Sequence, residues 1–171
     1  PELPDGVRWI GVDTEEVVHL RSQLLDDDAS QLVVTSVADA DWLDALPIDG
    51  RPTLVIAEGV LMYLDHDGLV GFLRACAALP PASEVVADVV HPRVARSGRH
   101  RLVEATGAPF RSGVRNGAAL AALVPGLELV DELAVTGHTG TTRRALAWGF
   151  RLVTGGGRRQ VVVRLRVPVQ R

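Results

Sequence analysis

Short apolar runs of strand length alternate along the chain with segments whose apolar residues recur at helical spacing. The runs predict six strands, over residues 7–13, 31–39, 51–58, 83–90, 127–135 and 160–167. The segments between them predict helices over residues 15–25, 64–81, 93–107, 116–126 and 141–153, with a shorter helix within residues 41–47. This alternation predicts an α/β fold with a mostly parallel sheet and helices on both faces. The last two strands could include an antiparallel edge.

Four of the predicted strands end in an acidic residue: Asp13, Asp39, Glu58 and Asp88. In an open α/β sheet, ligands bind outside the carboxyl ends of the strands. A carboxylate there can accept hydrogen bonds from both ribose hydroxyls of a nucleotide-like cofactor. One such acid alone is more simply explained as an exposed loop residue or a helix cap. Four acids at equivalent positions favour a ligand site.

The composition is that of an ordinary globular protein. The 171 residues are 47% hydrophobic and 23% charged, which predicts one domain with a core of its own. The one cysteine, Cys76, allows no internal disulfide, so we expect a cytoplasmic protein. No apolar run reaches the roughly 18–20 residues that cross a bilayer, and we expect no membrane association. The chain opens without a signal peptide and without Met, which suggests that the gene begins upstream.

Charge is distributed unevenly between the two halves of the chain. Residues 1–85 carry 16 acids and 4 arginines, whereas residues 86–171 carry 5 acids and 14 arginines. A basic half can indicate a nucleic-acid surface. However, Arg164 and Arg166 alternate with apolar residues, as the solvent face of a strand would. We therefore expect no nucleic-acid partner.

Three stretches carry a family resemblance: VRWIGVDTEEVVHLRSQLL, SVADADWLDALP and RPTLVIAEGVLMYL. In this order and spacing they resemble the leucine carboxyl methyltransferase family, and most of all its bacterial branch, the tetracenomycin-type polyketide O-methyltransferases. The likeness is dense over residues 7–80 and thin afterwards. It implies a class I, Rossmann-like domain that uses S-adenosyl-L-methionine to methylate a hydroxyl or carboxylate of a polyketide-like small molecule in secondary metabolism. Residues 1–171 would be a single, partial domain of this kind.

The resemblance also implies which residues contact the cofactor. By the family pattern, Asp13 holds the ribose hydroxyls and Glu58 faces the methionine end. The adenine is lined by Val37, Ala38 and Asp39. Many relatives carry an Asp-Leu pair where this chain has Val37 and Ala38, so backbone groups would contact the adenine here.

Two residues are candidates on the side of the methyl acceptor. Tyr63 matches the tyrosine of the family's E-x-x-L-x-Y stretch and could face the transferred methyl group; a core residue with its hydroxyl at the surface is the alternative. A carboxylate acceptor needs no base, whereas a hydroxyl acceptor is helped by one with a pKa near neutral. His91 is the only one of the five histidines at the carboxyl end of a predicted strand, and a structural role is its alternative.

The family's first strand and Gly-rich loop, which precede the stretch VRWIGVD in the relatives, are absent from these residues. The family's strand order places that strand between residues 7–13 and 51–58. We therefore expect either that these two strands pair directly or that a second chain or a missing N-terminal segment fills the slot. Either way, residues 1–171 alone should lack methyl transfer activity.

Three functions compete on this sequence. The first is a methyltransferase catalytic domain. The second is a catalytically inactive remnant that acts as a binding or interaction module. The third, a nicotinamide-dependent oxidoreductase, is disfavoured because no G-x-G-x-x-G motif occurs.

Overall fold

The structure is a computed structural model that describes residues 4–25, 31–39, 41–97, 103, 107–135, 154 and 158–169. Its strands are β1 (Ile10–Asp13), β2 (Gln31–Val34), β3 (Leu54–Ala57), β4 (Glu84–Val90), β5 (Glu128–Ala134) and β6 (Gln160–Arg166). Its helices are α1 (Glu15–Leu24), α2 (His66–Ala77), α3 (Pro92–Ser97) and α4 (Gly117–Ala121), with 3₁₀ turns at Trp42–Ala45 and Leu61–Tyr63. All six predicted strands are present, several of them shorter than predicted. The helix predicted over 141–153 lies outside the described residues, as does most of the 93–107 prediction beyond Ser97.

The strands form two separate sheets. β1 pairs with β2 in parallel, and the second sheet has the order β3-β4-β6-β5. Within it β3 and β4 are parallel, whereas β6 runs antiparallel to both of its neighbours. The prediction of a mostly parallel sheet is therefore corrected to a mixed one. The antiparallel strand β6 lies inside the sheet rather than at its edge, because its alternate side chains Val161, Val163 and Leu165 are buried in the core.

Helix α2 supplies much of the core against the four-stranded sheet. Asp65 caps its first turn, since the Asp65 side chain accepts a hydrogen bond from Gly68 N at 2.9 Å. The buried residues of α2 recur at helical spacing, at Leu69, Phe72, Leu73 and Cys76. Burial raises the pKa of the Cys76 thiol to about 12, so this cysteine is a core residue and not a nucleophile.

The 3₁₀ turn after β2 is attached to this core through one aromatic pair. The Trp42 ring stacks on Phe72 of α2 with centroids 5.5 Å apart and an interplanar angle of 6°. Trp42 is fully buried, although it lies outside every strand and α-helix. This contact connects the chain that follows the two-stranded sheet to the larger sheet.

Other apolar surface is left uncovered in the described part of the chain. Leu54 and Ile56, on one face of β3, are 57% and 53% exposed. Helix α1 has no buried residue, and its apolar positions Val17, Leu20 and Leu24 are exposed. Exposed apolar surface of this extent on a strand and a helix indicates a missing packing partner.

Gly113 lies where the loop 107–115 passes close to the start of α3. A Cβ at this position would lie 2.8 Å from the Pro92 Cα and 3.0 Å from the Ala95 Cβ. The Pro92 Cα is backbone and cannot rotate away. In contrast, a Cβ on Gly71, within α2, would meet no atom within 4 Å.

We expect opposite effects from the same substitution at these two glycines. Gly113→Ala should lower the free energy of unfolding by about 1–3 kcal/mol, because the added methyl overlaps backbone atoms. Gly71→Ala should raise it by up to ~1 kcal/mol, because alanine is the better helix former and the space is open. Urea denaturation of both variants measures the difference. Equal effects at the two positions would contradict the close approach of the loop to Pro92.

Candidate functional site

A cleft with a cavity of about 810 Å³ lies between the two sheets, and its walls are the facing edges of β1 and β3. Residues along the whole length of both strands line it, including Ile10, Val12, Leu54 and Ile56. Among the described residues, each of the two strands has a hydrogen-bonded partner on its other edge only. The expectation that β1 and β3 pair directly is therefore wrong.

A cluster of exposed charged residues lies at one end of the cleft. Asp49, in the segment that leads into β3, accepts hydrogen bonds from Arg51 Nε at 3.0 Å and lies 3.4 Å from an Arg8 nitrogen. Arg51 also donates to the backbone oxygen of Gly6 at 3.1 Å. The Arg51 guanidinium lowers the pKa of Asp49 to about 2. These contacts join the residues that precede β1 to the residues that precede β3. The amino-terminal ends of the two strands therefore lie together, both strands run the same way, and their carboxyl ends lie at the other end of the cleft.

Asp13 is the last residue of β1 and lines the cleft at the carboxyl end of this strand. Its Oδ1 accepts a hydrogen bond from Thr14 N at 2.9 Å. That bond orients the exposed carboxylate at the start of α1, and among the described residues no other partner is recorded for it. This geometry suits an acceptor for hydroxyl groups of a ligand in the cleft.

The turn after β2 adds polar groups to the same rim. Thr35, Ser36 and Val37 line the cavity, while Ala38 and Asp39 do not. The turn is closed by Asp39 N donating to the Ser36 oxygen at 2.9 Å. Of the three residues predicted at the adenine, the structure therefore places only Val37 on the cleft. Thr35 and Ser36 were not predicted as residues that line the cavity, because polar residues after a strand are too common to signal a site.

Glu58 follows β3 directly and its side chain is exposed, but it does not line the cavity. The next residue, Gly59, has φ +68°, a conformation that favours glycine. The Gly59 amide donates to Asp88 Oδ1 at 2.6 Å, and Asp88 Oδ2 accepts from Gln160 Nε2 at 2.6 Å. Asp88 is only 7% exposed and lies inside β4 (Glu84–Val90), so the prediction that it ends a strand is corrected. Ala57, just before this turn, lines the cavity.

Tyr63 lies in the 3₁₀ turn Leu61–Tyr63 and is half-buried. Its ring packs edge-to-face against Phe110, with centroids 5.4 Å apart. The loop around Phe110 is bound to the same turn, since Arg111 N donates to the Met62 oxygen at 2.8 Å and Ser112 Oγ to the Leu61 oxygen at 2.7 Å. No sequence pattern signalled this contact between distant segments. Tyr63 does not line the cleft.

His91 follows β4 and is 6% exposed. Its Nδ1 accepts a hydrogen bond from Arg93 N at 3.2 Å within the turn into α3. Burial lowers the pKa of His91, and the positive charges of nearby arginines lower it further. The ring is therefore neutral at pH 7, with Nδ1 engaged by the backbone, which favours the structural alternative for this residue.

The described residues contain no group of three or more His, Cys, Asp or Glu side chains placed to hold a metal ion. Nor does any helix among them have the length and apolarity to cross a membrane. Arg164 and Arg166 are exposed on β6 and face Glu84, to which Arg166 Nε donates at 2.9 Å. These two arginines thus lie on the solvent face of a strand, as predicted.

No protein family model matches the chain. It is 38% identical over 133 residues to the tetracenomycin polyketide synthesis O-methyltransferase TcmP of Streptomyces glaucescens, a match that covers 77% of this chain and 49% of that protein. It is 36% identical over 77 residues to the S-adenosyl-L-methionine-dependent methyltransferase dpfgK of Gibberella zeae, covering 41% of this chain and 26% of the relative. The chain thus spans about half, or less, of the length of the curated relatives it matches.

Solved structures share the fold. A DUF574 family protein from Streptomyces avermitilis superposes with a TM-score of 0.61 and 23% identity, over 94% of this chain and 65% of that one. The N-methyltransferase NodS from Bradyrhizobium japonicum, solved with S-adenosyl-L-homocysteine, gives a TM-score of 0.54 and 12% identity, over 95% and 67%. The α/β fold of this chain is therefore that of class I S-adenosylmethionine-dependent methyltransferases.

The resemblance found in the sequence is confirmed: the chain is a homologue of the S-adenosylmethionine-dependent methyltransferases, related over most of its length to the tetracenomycin-type polyketide O-methyltransferases.

Proposed function

We propose that the complete protein is an S-adenosyl-L-methionine-dependent O-methyltransferase that acts on a polyketide-like small molecule. The observation that carries the proposal is the match of 133 residues to a polyketide O-methyltransferase, because it includes most of the described chain. The structure supports it by placing two acids, Asp13 and Glu58, after the two strands that flank the cleft.

The residues on the β1 side of the cleft fit the nucleoside part of the cofactor. The Asp13 carboxylate has one oxygen engaged by Thr14 N and can accept from ribose hydroxyls with the other. Val37 supplies apolar surface for the adenine ring, and Thr35 and Ser36, which line the same wall of the cavity, supply polar groups.

Glu58 fits the methionine end. S-adenosyl-L-methionine carries an ammonium group and a sulfonium, and an exposed carboxylate on the opposite rim attracts both. When bound, the cofactor supplies an activated methyl group. The protein's main task is then to align that group with the acceptor oxygen.

The acceptor lies on the side of Tyr63 and the loop 107–115 in this proposal. The Tyr63–Phe110 pair offers an aromatic surface next to the turn that carries Glu58. A carboxylate acceptor would need no base. For a hydroxyl acceptor, His91 is the candidate base, provided that the ring exchanges the bond between Nδ1 and Arg93 N for one to the acceptor.

The single, buried cysteine is compatible with a reducing compartment such as the cytoplasm.

The cleft between β1 and β3 would be filled by one extended strand in the complete protein, from a missing N-terminal segment or from a second chain. The facing edges of the two strands have backbone groups to offer, and both strands run the same way. A strand between them would pair with both edges and join the two sheets into one. It would also cover apolar surface that no described residue covers.

Asp13→Ala in the complete protein should weaken binding of S-adenosyl-L-methionine ten- to a hundredfold. The reason is that two ribose hydroxyls lose a charged acceptor, which costs about 1.5–3 kcal/mol. Isothermal titration calorimetry measures the effect. The matched control is Glu16→Ala, which removes an exposed acid from the first turn of α1 and should leave the affinity unchanged. Unchanged affinity in Asp13→Ala would remove this residue from the site.

Glu58→Gln keeps the shape of the side chain and removes its charge. Because Glu58 is exposed and no hydrogen bond to its side chain is recorded among the described residues, thermal stability should stay the same. Cofactor affinity should fall by about tenfold, since the cationic end of the cofactor loses its opposite charge. A drop in melting temperature with unchanged affinity would show that Glu58 serves the fold only.

Residues 1–171 expressed alone should fail to bind S-adenosyl-L-methionine with micromolar affinity and should self-associate through the exposed edges of β1 and β3. Size-exclusion chromatography and calorimetry measure both properties. The control is the same chain together with the segment that completes the sheet. Micromolar binding by a monodisperse monomer of residues 1–171 would show that the additional strand is dispensable.

A further inference from the structure

We propose that Asp88 is a positioning residue that fixes the Glu58–Gly59 turn and thereby sets the direction of the Glu58 carboxylate towards the cofactor. The inference rests on the proposed function, because Glu58 has its role there. Neither Asp88 nor Glu58 lines the cavity, whereas Ala57 and Val60, on either side of the turn, do. Asp88 acts through Glu58 rather than on the ligand.

Asp88 differs from Asp13, Asp39 and Glu58 in its surroundings. It is 7% exposed, whereas Asp13, Asp39 and Glu58 are exposed. A buried carboxylate is costly unless donors compensate it. Here each oxygen accepts one hydrogen bond, from Gly59 N and from Gln160 Nε2, both at 2.6 Å. Both bonds are short for an amide donor and a carboxylate acceptor.

The two donors come from opposite sides of β4. Gly59 follows β3, which pairs with β4 in parallel, and Gln160 begins β6, which pairs with β4 antiparallel. Residue Ala57 is the last of β3 in register with β4, so Glu58 and Gly59 lie beyond the ladder. The Asp88 side chain thus accepts a hydrogen bond from this turn beyond the last backbone pairing between β3 and β4.

Gly59 makes the turn dependent on this bond. Its φ of +68° reverses the chain directly after Glu58, and a Cβ at Gly59 would meet no atom within 4 Å. No side chain packs at Gly59 itself, so the hydrogen bond from Gly59 N to Asp88 restrains the backbone next to Glu58.

The same pair of strands offers a matched control at its other end. Ser83 precedes β4 and is 1% exposed, and its Oγ accepts a hydrogen bond from Thr53 N, just before β3, at 3.0 Å. Ser83→Ala and Asp88→Ala both remove a buried acceptor that joins β3 to β4. Only Asp88 lies at the carboxyl end, next to Glu58.

The test measures three quantities in the complete protein: the free energy of unfolding, the dissociation constant of S-adenosyl-L-methionine, and hydrogen exchange of the Gly59 amide. Asp88→Ala should lower stability, speed exchange at Gly59 and weaken cofactor binding about tenfold. Ser83→Ala should lower stability and leave both of the other quantities unchanged. Asp88→Asn should largely restore binding, because its Oδ1 can still accept from Gly59 N and the Gln160 amide can rotate to present its oxygen.

A double-mutant cycle shows whether Asp88 acts through Glu58. The double variant of Asp88→Ala and Glu58→Gln should bind the cofactor no more weakly than Glu58→Gln alone. Without the Glu58 charge, the geometry of the turn no longer affects the affinity. Additive losses, or a Asp88→Ala protein that matches Ser83→Ala in all three quantities, would overturn the proposal. If Glu58→Gln alone leaves the affinity unchanged, the proposed cofactor site is wrong, while exchange at Gly59 still reports whether Asp88 fixes the turn.

Gly59→Ala provides a second route if Asp88→Ala does not fold. The substitution disfavours the positive φ without introducing a clash and leaves the Asp88 side chain in place. Cofactor binding should weaken about tenfold here too. Unchanged affinity in Gly59→Ala would mean that the geometry of the turn is irrelevant to Glu58, and the proposal would fall.

Discussion

Backbone amides and carbonyls in the interior of a sheet need hydrogen-bond partners on both edges of their strand, and β1 and β3 have them on one edge only in the described chain. The split sheet, the cleft and the exposed apolar side chains all follow from this. The larger sheet is complete enough to bury a core with α2 and α4, whereas the pair β1–β2 is covered by a helix with no buried residue. The two sheets contact each other through Trp42 and through the charged cluster around Asp49.

The four acids that were predicted at strand ends illustrate how strand order decides chemistry. In the sequence they occupy equivalent positions, and nothing distinguishes Asp88 from Glu58. In the structure β4 has neighbours on both sides, so its acid is buried between them and bonded to both. β1 and β3 flank the cleft, so Asp13 and Glu58 are exposed. An acid at an exposed strand end can bind a ligand, whereas an acid between two strands organises the backbone around it.

Local patterns were enough to predict the number and order of the strands and the helices α2 and α4. These features depend on residues close in sequence. The position of β6 inside the sheet could not be predicted, since pairing partners 70 or more residues apart leave no periodic signal. For the same reason the loop 107–115 on the Leu61–Tyr63 turn was missed. The strand-end positions of Asp13 and Glu58 were predicted, whereas Asp39 lies beyond the end of β2 and Asp88 lies inside β4. The bond from the Glu58–Gly59 turn to Asp88 joins distant segments and left no signal in the sequence.

The geometry of the cleft also explains why completion of the sheet should matter to ligand binding beyond the contacts that an added strand would make. Asp13 and Glu58 belong to different sheets, and the charged contacts that relate these sheets lie at the opposite end of the strands. Exposed ion pairs of that kind restrain geometry only weakly. Small rotations between the sheets would therefore change the distance between the two carboxylates. A ligand that contacts both carboxylates would lose part of its binding free energy in fixing that distance. A strand bonded to both edges would fix the distance before the ligand binds.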